Sequence, residues 1–402
     1  MSRRPQVAVT LTQRWHRIPG GSATSIERLL VAMAEADRAD LIQIEPLGDL
    51  RHPRSILGPE RGEPTGRRAG RRSGSPAGRA DASAGRDGGL ARMPLPLPIL
   101  YDSWAKFGRP KISSVVEGLD LVHLTVPVTP PNDTVPLVAT VHDLFPLTHP
   151  DLMTARGSTL MKAGLESIRK RARRIMVPSE FVAGECAAHG FDENLITVVP
   201  WGVEPVEFET GAQSTRDVLD RYGLADPYVL FVGTMEPRKN LGLILEAMIR
   251  LSRPEVSLVL VGPSGWGDAF GGDDGPRIDE VPSPVVYLGF VPEADLAHLQ
   301  RGADVFCFPS LAEGFGLPVL EAMAAGAAVI TSAGTACEEV AGDGALLIDP
   351  RSPDELADAI AMLLDDATKA GELRAKGVRR SKEFRWDRAA ESTLDVYEAA
   401  LS

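Results

Sequence analysis

A chain of 402 residues, 44% of them hydrophobic, carries enough apolar material for two sizeable cores, and its formal net charge of −12 excludes a general nucleic-acid binder, which needs a basic surface. Three scattered cysteines (Cys186, Cys307 and Cys337) without a CxxC pair fit reduced thiols rather than a disulfide framework. No apolar run reaches the ~18 residues of a membrane span, and MSRRPQVAVTLT lacks a secretory h-region, so a cytoplasmic location is expected.

The segment QVAVTLT (6–12) reads as a first strand. The loop RIPGGSATSIERLL follows, with Thr24 or Ser25 placed to cap a helix from Ile26 to Ala36. Gly20 and Gly21 let backbone come close to a ligand, but they do not form GxGxxG, which disfavours a dehydrogenase. Over residues 58–92 Gly, Arg, Ala, Ser and Pro crowd out large apolar residues, and a disordered insertion in the first domain is expected. Its arginines outnumber its acids, a pattern that suits peripheral contact with anionic lipid; a solvated loop is the plainer reading.

Residues 118–128 (GLDLVHLTVPV) and the short run Leu137–Val141 are the next strands. His142 and Asp143 stand at the carboxyl end of the second, where open α/β sheets bind ligands. Taken alone, such a histidine is more often a structural hydrogen bonder, and Asp143 suits a turn cap. A helix over about 154–172, the strand RIMVPS, a helix capped by Ser179 with Glu180 in its first turn, and the strand LITVVPWGV complete this half. Residues 204–226 read as a polar linker with one short helix, Thr215 to Tyr222.

The second half opens with the strand YVLFVG (228–233), the turn TMEPRKN and the strongly apolar-faced helix LGLILEAMIRL. Arg238 and Lys239, beside that helix start, have the chemistry of a diphosphate clamp. The strands VSLVLVG (256–262) and VVYLGFV (285–291) and the helix PEADLAHLQRGA follow; no Asp-x-Asp occurs, so no carboxylate site for a metal-bridged nucleotide is visible. The stretch 303–332, ADVFCFPSLAEGFGLPVLEAMAAGAAVITS, then reads strand, loop, helix, strand. Its loop holds Glu313, Gly314, Phe315 and Gly316, Pro318 suits a first helical turn, and Glu321 lies one turn further on. The amides of Gly316 and Leu317 form an anion cradle, and two carboxylates beside it accept hydroxyl donors, which suits a phosphorylated or nucleotide sugar. The closing helices are expected at 353–366 and 368–382, with a final helix in FRWDRAAESTLDVYEAALS.

The Glu-x7-Glu spacing around GFGLP resembles the signature of the retaining family 4 glycosyltransferases, and the likeness runs along nearly the whole chain outside 58–92. The resemblance implies the α/β GT-B fold, two Rossmann-like domains facing across a cleft: an acceptor domain (1–203), a donor domain (204–383) and a last helix (384–402) returning onto the first. By resemblance, Glu313 and His142 contact the donor sugar, Glu321 holds the ribose, and Lys239 meets the diphosphate. Gly20 and Gly21 approach the phosphates, and Val291, Phe315, Gly316 and Leu317 complete the donor site. Many members carry an arginine where this chain has Thr234, so the second cation either comes from Arg238 or is missing. The segment CEEVAGDGALLIDP resembles the family's closing segment, with Glu338 where proline is usual.

The expected activity is transfer of a hexose to a glycan or lipid-linked acceptor, with no metal or other cofactor. PRKN resembles mannosyltransferase-like members and leans toward a GDP-sugar; a UDP-sugar stays open. The alternative, on the same fold, is a non-catalytic nucleotide-sugar-binding or scaffolding protein.

Overall fold

The computed structural model describes residues 3–15, 21–47, 89–206, 214–224, 227–265 and 277–402. Two parallel sheets organise the chain. The first is built from β1 (Gln6–Thr10), α1 (Gly21–Ala36), β2 (Asp40–Glu45), β3 (Leu90–Arg92), α2 (Leu97–Phe107), β4 (Leu121–Leu124), β5 (Leu137–Thr140), α3 (Phe145–Thr148), α4 (Ala155–Arg171), β6 (Arg174–Val177), α5 (Glu180–Ala188) and β7 (Ile196–Val198). The second follows α6 (Thr215–Arg221) with β8 (Tyr228–Val232), α7 (Leu241–Leu251), β9 (Ser257–Val261), β10 (Val285–Gly289), α8 (Glu293–Gly302), β11 (Val305–Phe308), α9 (Leu317–Ala325), β12 (Val329–Ser332), α10 (Ala336–Ala341) and β13 (Ala345–Ile348). Helices α11 (Pro353–Asp365), α12 (Ala367–Ser381) and α13 (Trp386–Leu401) close the chain.

The strand orders are β3-β2-β1-β4-β5-β6-β7 and β10-β9-β8-β11-β12-β13. Each order reverses beside its first strand: Val7 pairs with both Leu41 and Leu121, and Val229 with both Leu258 and Val305. Such reversals leave crevices at the carboxyl ends of the strands, where α/β sheets bind ligands. Here the two crevices open toward each other, as expected for two Rossmann-like domains of GT-B type.

Apolar runs explain the sheets. Val229, Leu230, Phe231, Phe306 and Phe308 are wholly buried, and Leu241, Ile244, Leu245 and Met248 of α7 cover them at helical spacing. The last helix α13 lies on α1, with Ala390, Leu394 and Tyr397 meeting Ile26, Leu30 and Met33 in the first domain. Tyr397 reaches the sheet, where its hydroxyl lies 2.7 Å from His123 Nδ1, while Thr140 Oγ1 lies 2.7 Å from His123 Nε2. Burial holds that histidine neutral, its pKa pulled down to about 3.

Two expectations are corrected. The segment 58–92 is not one disordered insertion to its end: Leu90–Arg92 form β3, paired in parallel with Gln43–Glu45; residues 58–88 lie outside the described residues. The first helix begins at Gly21 rather than Ile26, so neither Thr24 nor Ser25 caps it, and the Ser25 hydroxyl donates to Ser22 O from within the helix.

Candidate active site

The site grows from the turn after β8. Asn240 takes a left-handed conformation (φ 60°), and its Nδ2 donates to Pro309 O at 3.0 Å and to Pro350 O at 2.7 Å, which fixes the short turn Pro237–Lys239 against the end of β11. Arg238 and Lys239 are thereby aimed at the loop after β11. Arg238 binds Glu313 Oε1 at 2.6 Å and Glu236 Oε1 at 2.7 Å, and its guanidinium lies 5.1 Å from the Phe145 ring centre. Lys239 Nζ pairs with the same Glu313 Oε1 and lies 4.5 Å from the Phe308 ring centre. The Ser310 hydroxyl donates to that oxygen too, at 3.0 Å.

Arg238 and Lys239 thus share a largely buried cluster with Glu236 and Glu313, and the Asp143 carboxyl also acts on Arg238; these opposite charges make the burial tolerable. Burial pushes the Glu313 carboxyl up, but the charges of Arg238 and Lys239 outweigh it and hold Glu313 below the usual carboxylate range. Burial and then the Arg238 charge pull the Lys239 ammonium down. Every partner of Glu313 crowds Oε1; among the described residues Oε2 accepts no hydrogen bond. The clamp read from the sequence is therefore already engaged by Glu313, and Glu313 is held with one oxygen left for a ligand.

Gly314 follows, and no side chain fits there, because a Cβ would overlap the carbonyl oxygen of His142. Here the second domain's loop lies directly against the first domain's HD turn. His142 Nε2–H donates to Thr125 O at 2.8 Å, and since a carbonyl only accepts, Nδ1 is left as the unprotonated nitrogen. Burial lowers the His142 pKa to about 4, so the ring is neutral near pH 7. Asp143 caps its turn, Oδ1 accepting from Phe145 N at 3.2 Å.

Gly316 has φ 100° and a Cβ there would lie 2.8 Å from Cys337 Sγ, so glycine is required on two counts. It begins α9, with Pro318 in the first turn, and neither the Gly316 nor the Leu317 amide donates to another described residue. Glu321 stands half-buried one turn further. Burial and then the nearby Glu293 push its carboxyl up to about 7, Arg28 opposing, and no described residue hydrogen-bonds to it.

A cleft of about 440 Å³ joins these parts. It brings together Gly21, His142, Arg238, Lys239, Val291, Glu313, Phe315, Gly316 and Leu317; Glu321 lies outside this lining, and Gly20 lies outside the described residues. Phe315 is largely a packing residue, its ring centre 5.8 Å from that of Phe384. Thr234, which stands where many relatives carry an arginine, lines the cleft too, as do Trp201 and Phe290, on which no sequence expectation of a site role fell. Phe290 is 84% exposed beside buried Val291, a signal that the run GFV carried without distinguishing its members. Among the described residues no group of three or more His, Cys, Asp or Glu is arranged to hold a metal ion, and no helix is long and apolar enough to cross a membrane.

Comparison with known proteins meets this geometry. Residues 222–384 match the model for glycosyl transferases group 1, and residues 19–207 match the model for glycosyltransferase family 4. The chain is 32% identical to the O-antigen chain mannosyltransferase B of Escherichia coli over 268 residues, which is 65% of this chain and 69% of that protein. Its fold is similar to that of sucrose-phosphate synthase from Thermosynechococcus elongatus (TM-score 0.71, 19% identity, 98% of each chain). It is also similar to Anabaena HepE, solved in complex with UDP and glucose (TM-score 0.67, 16% identity, 98% of this chain and 100% of that one). The protein is a glycosyltransferase of the GT-B fold, and the chain belongs to glycosyltransferase family 4.

Proposed function

We propose that the protein transfers a hexose, mannose in preference, from a nucleotide-diphosphate sugar to a glycan or lipid-linked acceptor in polysaccharide synthesis, with retention at the anomeric carbon and without a metal. The observation that carries this reading is Glu313, pinned through Oε1 by Arg238 and Lys239, with Oε2 left for a ligand and neutral His142 nearby. In this reading the donor diphosphate lies against the Gly316 and Leu317 amides and the two cations, which stabilise the charge that grows as the bond from the anomeric carbon to the phosphate oxygen breaks. Glu313 Oε2 and His142 Nδ1 accept hydroxyls of the sugar, and Glu321 accepts those of the ribose. The new bond to the acceptor oxygen forms on the same face, and the acceptor proton passes to the leaving phosphate; no protein nucleophile is assigned. Domain closure would keep water from the donor.

The likeness to mannosyltransferase B and the PRKN turn support a GDP-mannose donor. The UDP and glucose bound to HepE support a UDP-sugar as the second reading. Incubation with GDP-mannose, UDP-glucose and ADP-glucose, followed by proton NMR in the presence of chelator, separates them. The expected result is slow release of GDP from GDP-mannose, accelerated by acceptor extract, with an α-linked product. Release of UDP alone would move the donor assignment, and an inverted product would overturn the mechanism.

A further inference from the structure

Three hydrogen bonds cross the cleft beside the donor loop, all at the start of α5. Glu339, on α10 of the second domain, accepts from two amides of the first: Glu180 N at 3.0 Å on Oε1 and Phe181 N at 2.9 Å on Oε2. Ser179, the cap of that helix, donates to Gly314 O at 2.8 Å while accepting from Val182 N. A carboxylate on the amides of a helix N-terminus makes charge-assisted bonds and meets the positive end of the helix dipole. Helix α10 is itself braced. Arg380 holds its carbonyls at Glu339 (2.8 Å) and Val340 (3.1 Å), and Cys337, two residues before Glu339, packs under Gly316. One short helix thus touches both the start of α5 and the glycine at the head of the proposed phosphate cradle.

We infer that Glu339 is a positioning residue for the transfer reaction: it latches α5 of the acceptor domain to the donor domain, and so sets the spacing of Glu313 and Gly314 against His142. The inference rests on the reading of this cleft as the donor site. The latch joins domains rather than building either one, since with the cleft open the amides of Glu180 and Phe181 reach water and Ser179 still caps its helix. Its loss should therefore spare nucleotide binding, which the second domain's residues dominate, and harm the step that needs both domains.

The test uses the full chain with Glu339→Ala and Glu339→Gln. Calorimetry with GDP and with UDP should give dissociation constants within about twofold of wild type, while kcat for transfer falls about tenfold or more in Glu339→Ala, the loss expected for charged hydrogen bonds. Glu339→Gln, keeping one acceptor oxygen, should fall between. The fraction of donor lost to water should rise, and small-angle X-ray scattering should give Glu339→Ala a larger radius of gyration than wild type. Wild-type kcat with unchanged scattering in Glu339→Ala would overturn the latch. So would a nucleotide affinity that falls in step with kcat, since that marks a merely structural role. If wild type binds neither nucleotide, the donor-site reading fails, and the scattering comparison alone judges the latch.

Discussion

Glu313→Gln tests the charge arithmetic of the site. The buried cluster holds Glu236 and Glu313 against Arg238 and Lys239, with Asp143 also acting on Arg238, and the substitution removes the one negative charge that pairs with both cations. Removing one partner of a buried pair costs about 3–5 kcal/mol. One feature reduces that here: the Arg238 side chain keeps 23% of its exposure, so water screens it. A loss of about 2–3 kcal/mol is expected, read as a fall of about 4–12 °C in Tm for a domain of this size. The freed cations should at the same time hold a nucleoside diphosphate more tightly, by about three- to tenfold, because their charge is no longer spent on Glu313. Turnover should drop about 100-fold or more with the loss of an oriented acceptor for the donor sugar. Differential scanning fluorimetry, calorimetry with GDP and a donor-release assay read the three quantities separately. A variant with unchanged Tm and weaker GDP binding would refute the reasoning, since it would mean that Glu313 does not neutralise the cations.

Two further outcomes follow from the fold. The folded pKa of His123 is depressed to about 3, below its unfolded value of about 6.5. Its contribution to stability is therefore full above about pH 6.5 and is lost as pH falls toward 3, at about 1.4 kcal/mol per pH unit through that window. Asp143 and Glu321 have raised folded pKa values and oppose this slope, so the check is a difference: urea unfolding of His123→Gln should be less steep between pH 6.5 and 4.5 than wild type, and equal slopes would contradict the assignment. Deletion of residues 59–88 should leave Tm within about 2 °C, because their composition offers little to bury, whereas deletion of 59–92 should lower it by removing the strand paired with β2. Equal thermal stability of the two deletions would show that β3 contributes nothing.

Much of the second domain was legible because its strands are continuous apolar runs and its helices carry wide apolar faces, as in YVLFVG and LGLILEAMIRL. The Ser179 cap and the Gly316–Pro318 helix start were legible for the same local reason: one residue type satisfies one backbone requirement. Strand β2, DLIQIE, escaped because acidic and amide residues break its apolar run. Helix α2 escaped because prolines crowd its start, although Pro98 sits where a helix tolerates it and Gly108 closes the other end at φ 61°. The pairing of Arg238 with Glu313, 75 positions apart, and of Glu339 with the α5 amides has no local signal at all. The first depends on β8 and β11 lying side by side in one sheet, the second on how the two sheets face each other. The sequence thus carried the parts of the proposed donor site, while the pairing of Arg238 and Lys239 with Glu313 and the proposed cross-cleft latch needed the fold.

The central claim is a nucleotide-sugar site in the cleft, with Glu321 on the ribose. Calorimetric titration of the purified protein with GDP, UDP and ADP in the absence of metal tests it most directly, run in parallel on Glu321→Ala. The account predicts that GDP binds most tightly and that Glu321→Ala weakens it about tenfold or more. No binding by any of the three, or equal binding by wild type and Glu321→Ala, would contradict it.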